Sequence, residues 1–108
     1  MVSDSPSSHV LTGVYTGNVT FEWDDHKADA NERAHGVTFA EAVTVFDDDL
    51  AMVATDPDHS SGEFRLLILG GSNQGRLLLV SYTERGANIR LISARIATRR
   101  EKKDYENN

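Results

Sequence analysis

The sequence predicts an α+β fold, a mostly antiparallel sheet with two N-terminal helices packed on one face and a short helix at its C-terminal end. Three observations lead there. Helical signals are confined to the stretch after a first strand and to the chain's end. Runs of strand character follow one another from about residue 50 to residue 96, joined by short loops. No β-helix-β alternation and no internal repeat breaks that order. At 108 residues, 39% of them hydrophobic, the chain has material for one core. Residues 19–108 are therefore expected to form a single domain.

Residues 1–18, rich in Ser, Gly and Thr, read as a flexible N-terminal arm with a short strand around Val10–Tyr15. A strand begins near Val19, where Val19, Phe21 and Trp23 alternate with Thr20 and Glu22. Asp24 is placed to cap a helix from Asp25 to about His35, and Gly36 to stop it. Thr38-Phe39-Ala40-Glu41 has the spacing of a capping box, with Val37 before it as a staple onto Ala42. Phe39, Ala42, Val43 and Phe46 continue as an apolar stripe, and Asp47-Asp48-Asp49 ends that helix, because carboxylates at a C-terminus oppose its dipole. Strands are expected at Leu50–Thr55, Phe64–Leu69, Arg76–Thr83 and Asn88–Ile96, the last two joined by the loop Glu84-Arg85-Gly86-Ala87. Thr98-Arg99-Arg100-Glu101 is a second capping box, opening a helix to about Glu106 that has only Tyr105 to bury.

Composition narrows the function classes. There is no cysteine, hence no disulfide, thiolate zinc site or cysteine nucleophile. No run of about eighteen apolar residues occurs, and the N-terminus lacks the basic and apolar regions of a secretory signal, so a cytoplasmic address and no membrane partner are expected. The net charge of −6 is unevenly spread. Up to residue 61 there are two basic and twelve acidic side chains, for −10; from residue 62 on there are nine basic and five acidic, for +4. The first half suits a basic partner and the second an anion.

From Phe21 onward the sequence resembles the BrnT family of type II toxins. The matching stretches are FEWDDHKADANERAHGVTFAEA (21–42), DPDHSSGEFR (56–65), GRLLLVSYTERG (75–86) and IRLISARIATRREKKDYE (89–106). The resemblance implies a fold similar to RelE-type ribonuclease toxins, RNA as substrate, and neutralisation by a BrnA-like ribbon-helix-helix antitoxin, with operator DNA reached only through the antitoxin complex. Two positions depart from the family pattern. Ala34 stands where a Lys usually precedes His-Gly, and Leu69-Gly70-Gly71 lacks the Arg of an I-G-R ending. Both remove a cation, which leaves a second reading open: a catalytically weakened chain that persists as the non-enzymatic partner of a DNA-binding antitoxin.

Metal-independent RNA cleavage needs a base for the 2′-hydroxyl, a proton donor for the leaving oxygen and cations around the developing charge. No cofactor is expected. Arg95 is the first candidate cation, on a strand face read as shared with Ile89, Leu91 and Ser93; the alternative is a structural bridge to an acidic loop. Arg65 and Arg76 begin their strands and are candidates for the same open sheet face, Arg65 in a catalytic and Arg76 in an RNA-binding role; the alternative for each is a plain surface arginine. Arg85, at a hairpin tip, either touches RNA or touches nothing. His59, among the acids of Asp56-Pro57-Asp58-His59-Ser60, suits a general acid because those carboxylates favour its protonated form. Glu63 is the companion base or a loop-orienting group. Lys27, Asn31 and His35 share a helical stripe; Lys27 is the phosphate-reaching candidate, and the alternative is a helix face held to the sheet by polar contacts. Tyr105 anchors the last helix or donates a proton. The acids of residues 47–58 lack the calcium-loop spacing, and no metal is assigned to them.

Overall fold

The computed structural model describes residues 8–12 (backbone), 19–57 and 64–107. Its elements are β1 (Ser8–Thr12), β2 (Thr20–Asp24), α1 (Asp25–His35), α2 (Phe39–Val43), a 3-10 turn (Thr44–Asp47), β3 (Met52–Thr55), β4 (Leu66–Gly71), β5 (Leu77–Arg85), β6 (Asn88–Ile96) and α3 (Arg99–Glu106). The expected class holds: α+β, with a mostly antiparallel sheet. Six strands lie in the order β1-β2-β6-β5-β4-β3, and every pairing is antiparallel except β2 with β6. The strand foreseen around residues 10–15 lies earlier, at Ser8–Thr12, and borders β2.

Local signals place the helix ends. Asp24 Oδ1 accepts from the His26 and Lys27 amides at 2.8 and 3.2 Å, and Gly36 ends α1 at φ 69°, a left-handed value that only glycine adopts without strain. At Thr98 both halves of the capping box form: the Glu101 amide donates to Thr98 Oγ1, and the Thr98 amide donates to Glu101 Oε1.

The first capping box forms only by half. Thr38 Oγ1 accepts from the Glu41 amide at 3.1 Å, but the Glu41 carboxylate turns inward, away from the cap. The second helix is also shorter than its stripe suggested, tightening into the 3-10 turn at Thr44, whose hydroxyl donates to Glu41 O.

The core lies on one face of the sheet. Phe21, Trp23, Ile68, Leu78, Val80, Tyr82, Leu91 and Ala94 meet Val37, Phe39, Ala42, Val43 and Val45 there. Trp23 stands edge-on to Phe39 at 5.8 Å, while Phe46 bridges Phe21 and Tyr82 at 5.1 and 5.0 Å. The 3-10 turn sits so close to β4 that a Cβ on Gly70 would come within 3.0 Å of both Val45 Cγ1 and Ala51 Cβ. Any larger residue there would push Val45 and Ala51 back by a few tenths of an ångström.

α1 is tied to the sheet by a buried amide. β2 pairs with β6 only as far as Glu22 opposite Arg90, which leaves the next stretch of β6 without a strand on its β2 side. Asn31 takes that place: its Oδ1 accepts from the Ala94 amide at 3.0 Å, and its Nδ2 donates to Ala94 O at 2.8 Å and to Val37 O at 3.0 Å. The polar-contact reading of this stripe is therefore correct for Asn31. Lys27 and His35 stay exposed.

One irregularity decides what the other sheet face carries. Ser81 pairs with Ser93 and Tyr82 with Leu91, so Ile92 is an extra residue bulged out of β6. Ile89 and Leu91 face the core before the bulge, and Ala94 returns to the core after it. Ser93 and Arg95 therefore face the opposite side. The simple alternation that put Arg95 beside Ile89 and Leu91 is corrected by that one residue.

Candidate functional site

On the face opposite the core the strands form a hollow of about 330 Å³. Its lining is Leu67 of β4, Leu79 and Ser81 of β5, and Ile92, Ser93 and Arg95 of β6, with Arg65 and Asp56 beside the adjoining strand ends. Two of the four arginines singled out from sequence, Arg65 and Arg95, thus meet in one place. Register explains it: Leu79 pairs with Arg95, Ser81 with Ser93, and Leu67 with Ser81, which sets these side chains in adjoining rows on one face.

The two arginines are held differently. Arg95 grips Glu101 of α3 with both ends of its fork, NH1 to Oε1 and NH2 to Oε2, each at 2.9 Å. Hydrogen bonding to Arg95 holds the Glu101 carboxyl below its ordinary value, and the same bond raises the guanidinium. A structural bridge is present, but to Glu101 in the first turn of α3 and not to an acidic loop, and it coexists with a place in the hollow. Arg65 has a buried Nε with no hydrogen-bond partner, and the Ser81 hydroxyl is in the same condition.

Arg76 is not brought to this site. β4 and β5 run antiparallel, so residues that open each strand lie at opposite ends of the pair: Leu66 faces Tyr82 and Gly71 faces Leu77. At its end Arg76 meets the buried Glu41. Nε donates to Glu41 Oε2 at 2.9 Å, NH2 donates to Oε1, and NH2 also donates to Gly36 O at 3.1 Å. Ser72 Oγ adds a 2.7 Å bond to Oε2. The bond from Arg76 dominates and holds the Glu41 carboxyl below its ordinary value despite burial. This explains why Glu41 leaves its cap. Once the carboxylate is buried it needs charged donors, and the two-pronged bond from Arg76 is stronger than a single bond to the cap amide.

The remaining candidates scatter. Lys27 is exposed on α1, and Arg85 is exposed at the end of β5, next to the Gly86 turn. Neither lines the hollow. His59 and Glu63 lie outside the described residues. Tyr105 serves as an anchor, its hydroxyl donating to Asp48 Oδ2 at 2.6 Å. Burial pushes the Asp48 carboxyl up, but bonds from the Gly71 amide, Tyr105 and the Leu50 amide outweigh that and hold it low. A second hollow of about 360 Å³ adjoins this anchor, but its charged lining is Asp47 and Asp48, which repel phosphate. Among the described residues no three His, Asp or Glu side chains gather as a metal site would require, and no helix is long and apolar enough to cross a membrane.

Sequence reasoning missed Ser81 and Asp56 as lining residues. Ser81 had no distinguishing motif, and Asp56 was read only as one acid among several. Their places follow from pairing across strands distant in sequence.

The family model for the ribonuclease toxin BrnT of type II toxin–antitoxin systems matches residues 23–101. The chain belongs to the BrnT family. Its structure is similar to the crystal structure of the Brucella abortus ribonuclease toxin BrnT, with a TM-score of 0.53 and 24% identity over 71% of this chain and 94% of that one. That likeness carries the fold. No curated protein matches the chain. The two departures from the BrnT pattern now have places: Ala34 is exposed on α1, and Gly71 donates its amide to Asp48 beside the acidic hollow. Neither lines the hollow that holds Arg65 and Arg95.

Proposed function

We propose that this BrnT-family chain is an endoribonuclease toxin that cuts RNA at the hollow between Arg65 and Arg95. The convergence of these two side chains on one sheet face carries the reading. A 2′-hydroxyl attacks the adjacent phosphorus, the bond to the 5′-oxygen breaks, and the products are a 2′,3′-cyclic phosphate and a 5′-hydroxyl. Extra negative charge develops on the phosphoryl oxygens, and guanidinium donors answer it without a metal ion. His59 as acid and Glu63 as base remain the sequence-based assignments for the two proton transfers, with Asp56 a further carboxylate at the hollow. A BrnA-like ribbon-helix-helix antitoxin covers the open sheet face in this reading, operator DNA is bound through that antitoxin, and the protein works in the cytoplasm on a RelE-type scaffold.

The test is to incubate the purified protein with RNA in EDTA. Fragments ending in cyclic phosphate, lost in Arg65→Ala, are the expected result. Intact RNA, or cutting that persists undiminished in Arg65→Ala, overturns the assignment. The competing reading, a weakened toxin that only binds its antitoxin, is favoured by one observation: Glu101 neutralises Arg95. If unaltered protein is inert and Ala34→Lys with Gly71→Arg is toxic, that reading replaces the first.

A further inference from the structure

Ser81 lies on the floor of the hollow, and nothing so far gives it a role. Alternation along β5 puts it on the face away from the core, opposite Ser93 on one side and Leu67 on the other. It is only 7% exposed, and its Oγ has no hydrogen-bond partner. Among the described residues one other buried side-chain polar atom is in that state, Arg65 Nε, and it belongs to the same hollow. Most buried polar groups in folded proteins find partners, so two orphans in one cavity need a common cause.

Their chemistry narrows that cause. The Arg65 Nε–H donates and never accepts, while the serine hydroxyl does either. A partner for both must therefore present acceptor oxygens in more than one direction. Asp56 shares the lining and Glu101 holds Arg95, so it is the Arg65 guanidinium, which bonds to no carboxylate among the described residues, that favours an anionic oxygen cluster over a neutral one.

We infer that Ser81 is a substrate-binding residue, its hydroxyl donating to a non-bridging oxygen of the phosphodiester that Arg65 Nε also holds. This rests on reading the hollow as the RNA site. The hydroxyl rotates to meet an acceptor that arrives with the ligand, and because its oxygen is sealed from solvent in the free protein the hollow must open slightly to admit one. Leu67 and Ile92, on the same floor, offer the apolar surface that a ribose or an unstacked base needs.

The experiment measures affinity for a single-stranded RNA whose 2′-hydroxyls are methylated, so that binding is read without cleavage. Ser81→Ala, Ser81→Thr and Arg65→Ala are compared with the unaltered protein, each checked by thermal unfolding. Ser81→Ala is expected to weaken binding roughly tenfold, as loss of one hydrogen bond to a charged acceptor does. Its unfolding midpoint should stay level or rise, since an unsatisfied buried hydroxyl has gone. Ser81→Thr, which keeps the hydroxyl, should restore most of the affinity. If Arg65→Ala weakens binding and Ser81→Ala does not, the inference falls and the site survives; an enclosed water then satisfies the hydroxyl. If Arg65→Ala binds as tightly as the unaltered protein, or the methylated RNA does not bind at all, the hollow is not the RNA site and both readings fall.

Discussion

Arg65 and Arg76 hold equivalent places in the sequence, one residue ahead of β4 and one ahead of β5, yet the sheet treats them oppositely. At the Arg76 end the buried Glu41 carboxylate and the Gly36 main-chain oxygen take up guanidinium donors, and the Ser72 hydroxyl donates to the same carboxylate. At the Arg65 end a donor is left buried and unanswered beside a second arginine. The first arrangement is a closed network and serves stability. The second is incomplete in the free protein, which is what a site for an anion looks like. Arg95 falls between them, lining the hollow while half-committed to Glu101. Residue type does not distinguish a structural from a functional arginine here; whether its partners come with the fold does.

Arg65→Ala should give the largest effect, lowering the cleavage rate by roughly 10²–10³, the usual cost of removing one charge-stabilising donor. Its unfolding midpoint should stay within a few degrees of the unaltered protein, because no bond of the fold is lost. A parallel drop in stability would erase the distinction between the two ends. Arg76→Ala should do the reverse. Removing Arg76 leaves the buried Glu41 carboxylate without its charged partner, so the fold should lose stability. Denaturant titration would read that loss, while cleavage per folded molecule should not change.

Acid offers a milder probe of the same contrast. Glu41 and Glu101 are held below their ordinary 4.5, and Asp48 below its ordinary 3.8. The unfolded chain takes up protons at those ordinary values before the folded chain does. Stabilisation from these groups is therefore complete above about pH 4.5 and is lost as the pH falls through the lower folded values. Urea midpoints measured from pH 7 down to pH 3 should fall steeply only at the acid end, and less steeply in Glu41→Gln. A flat profile would mean that Glu41 is not the carboxylate holding the Arg76 end together.

The smallest expected effect is that of Glu101→Gln. A partly exposed pair is worth up to about 1 kcal/mol, so freeing Arg95 from a full charge should tighten RNA binding by no more than about fivefold. Gel-shift titration at low salt would detect it. Weaker binding instead would show that Glu101 aims Arg95 rather than competing for it.

Much of the fold was legible in the residues. The limits of α1 follow from Asp24 and Gly36, and the start of α3 from Thr98 and Glu101, because caps act within one turn of helix. β6 was readable end to end at Asn88–Ile96. The site was legible only in part. Arg65 and Arg95 stood out as cations at strand ends, but their meeting, and the exclusion of Arg76, required the pairing of β4 with β5 and of β5 with β6.

Taken alone, the sequence determined the α+β class, the span of α1, the start of α3, the segregation of charge and membership of the family, since each depends on signals a few residues apart or on a long ordered match. Only the tertiary structure decided that Ile92 bulges and turns Arg95 to the open face, that Glu41 forsakes its cap for Arg76, and that Ser81 shares a hollow with Arg65. Those outcomes turn on contacts between residues far apart in the chain. There, burial of a charge or a one-residue shift in register outweighs any local preference.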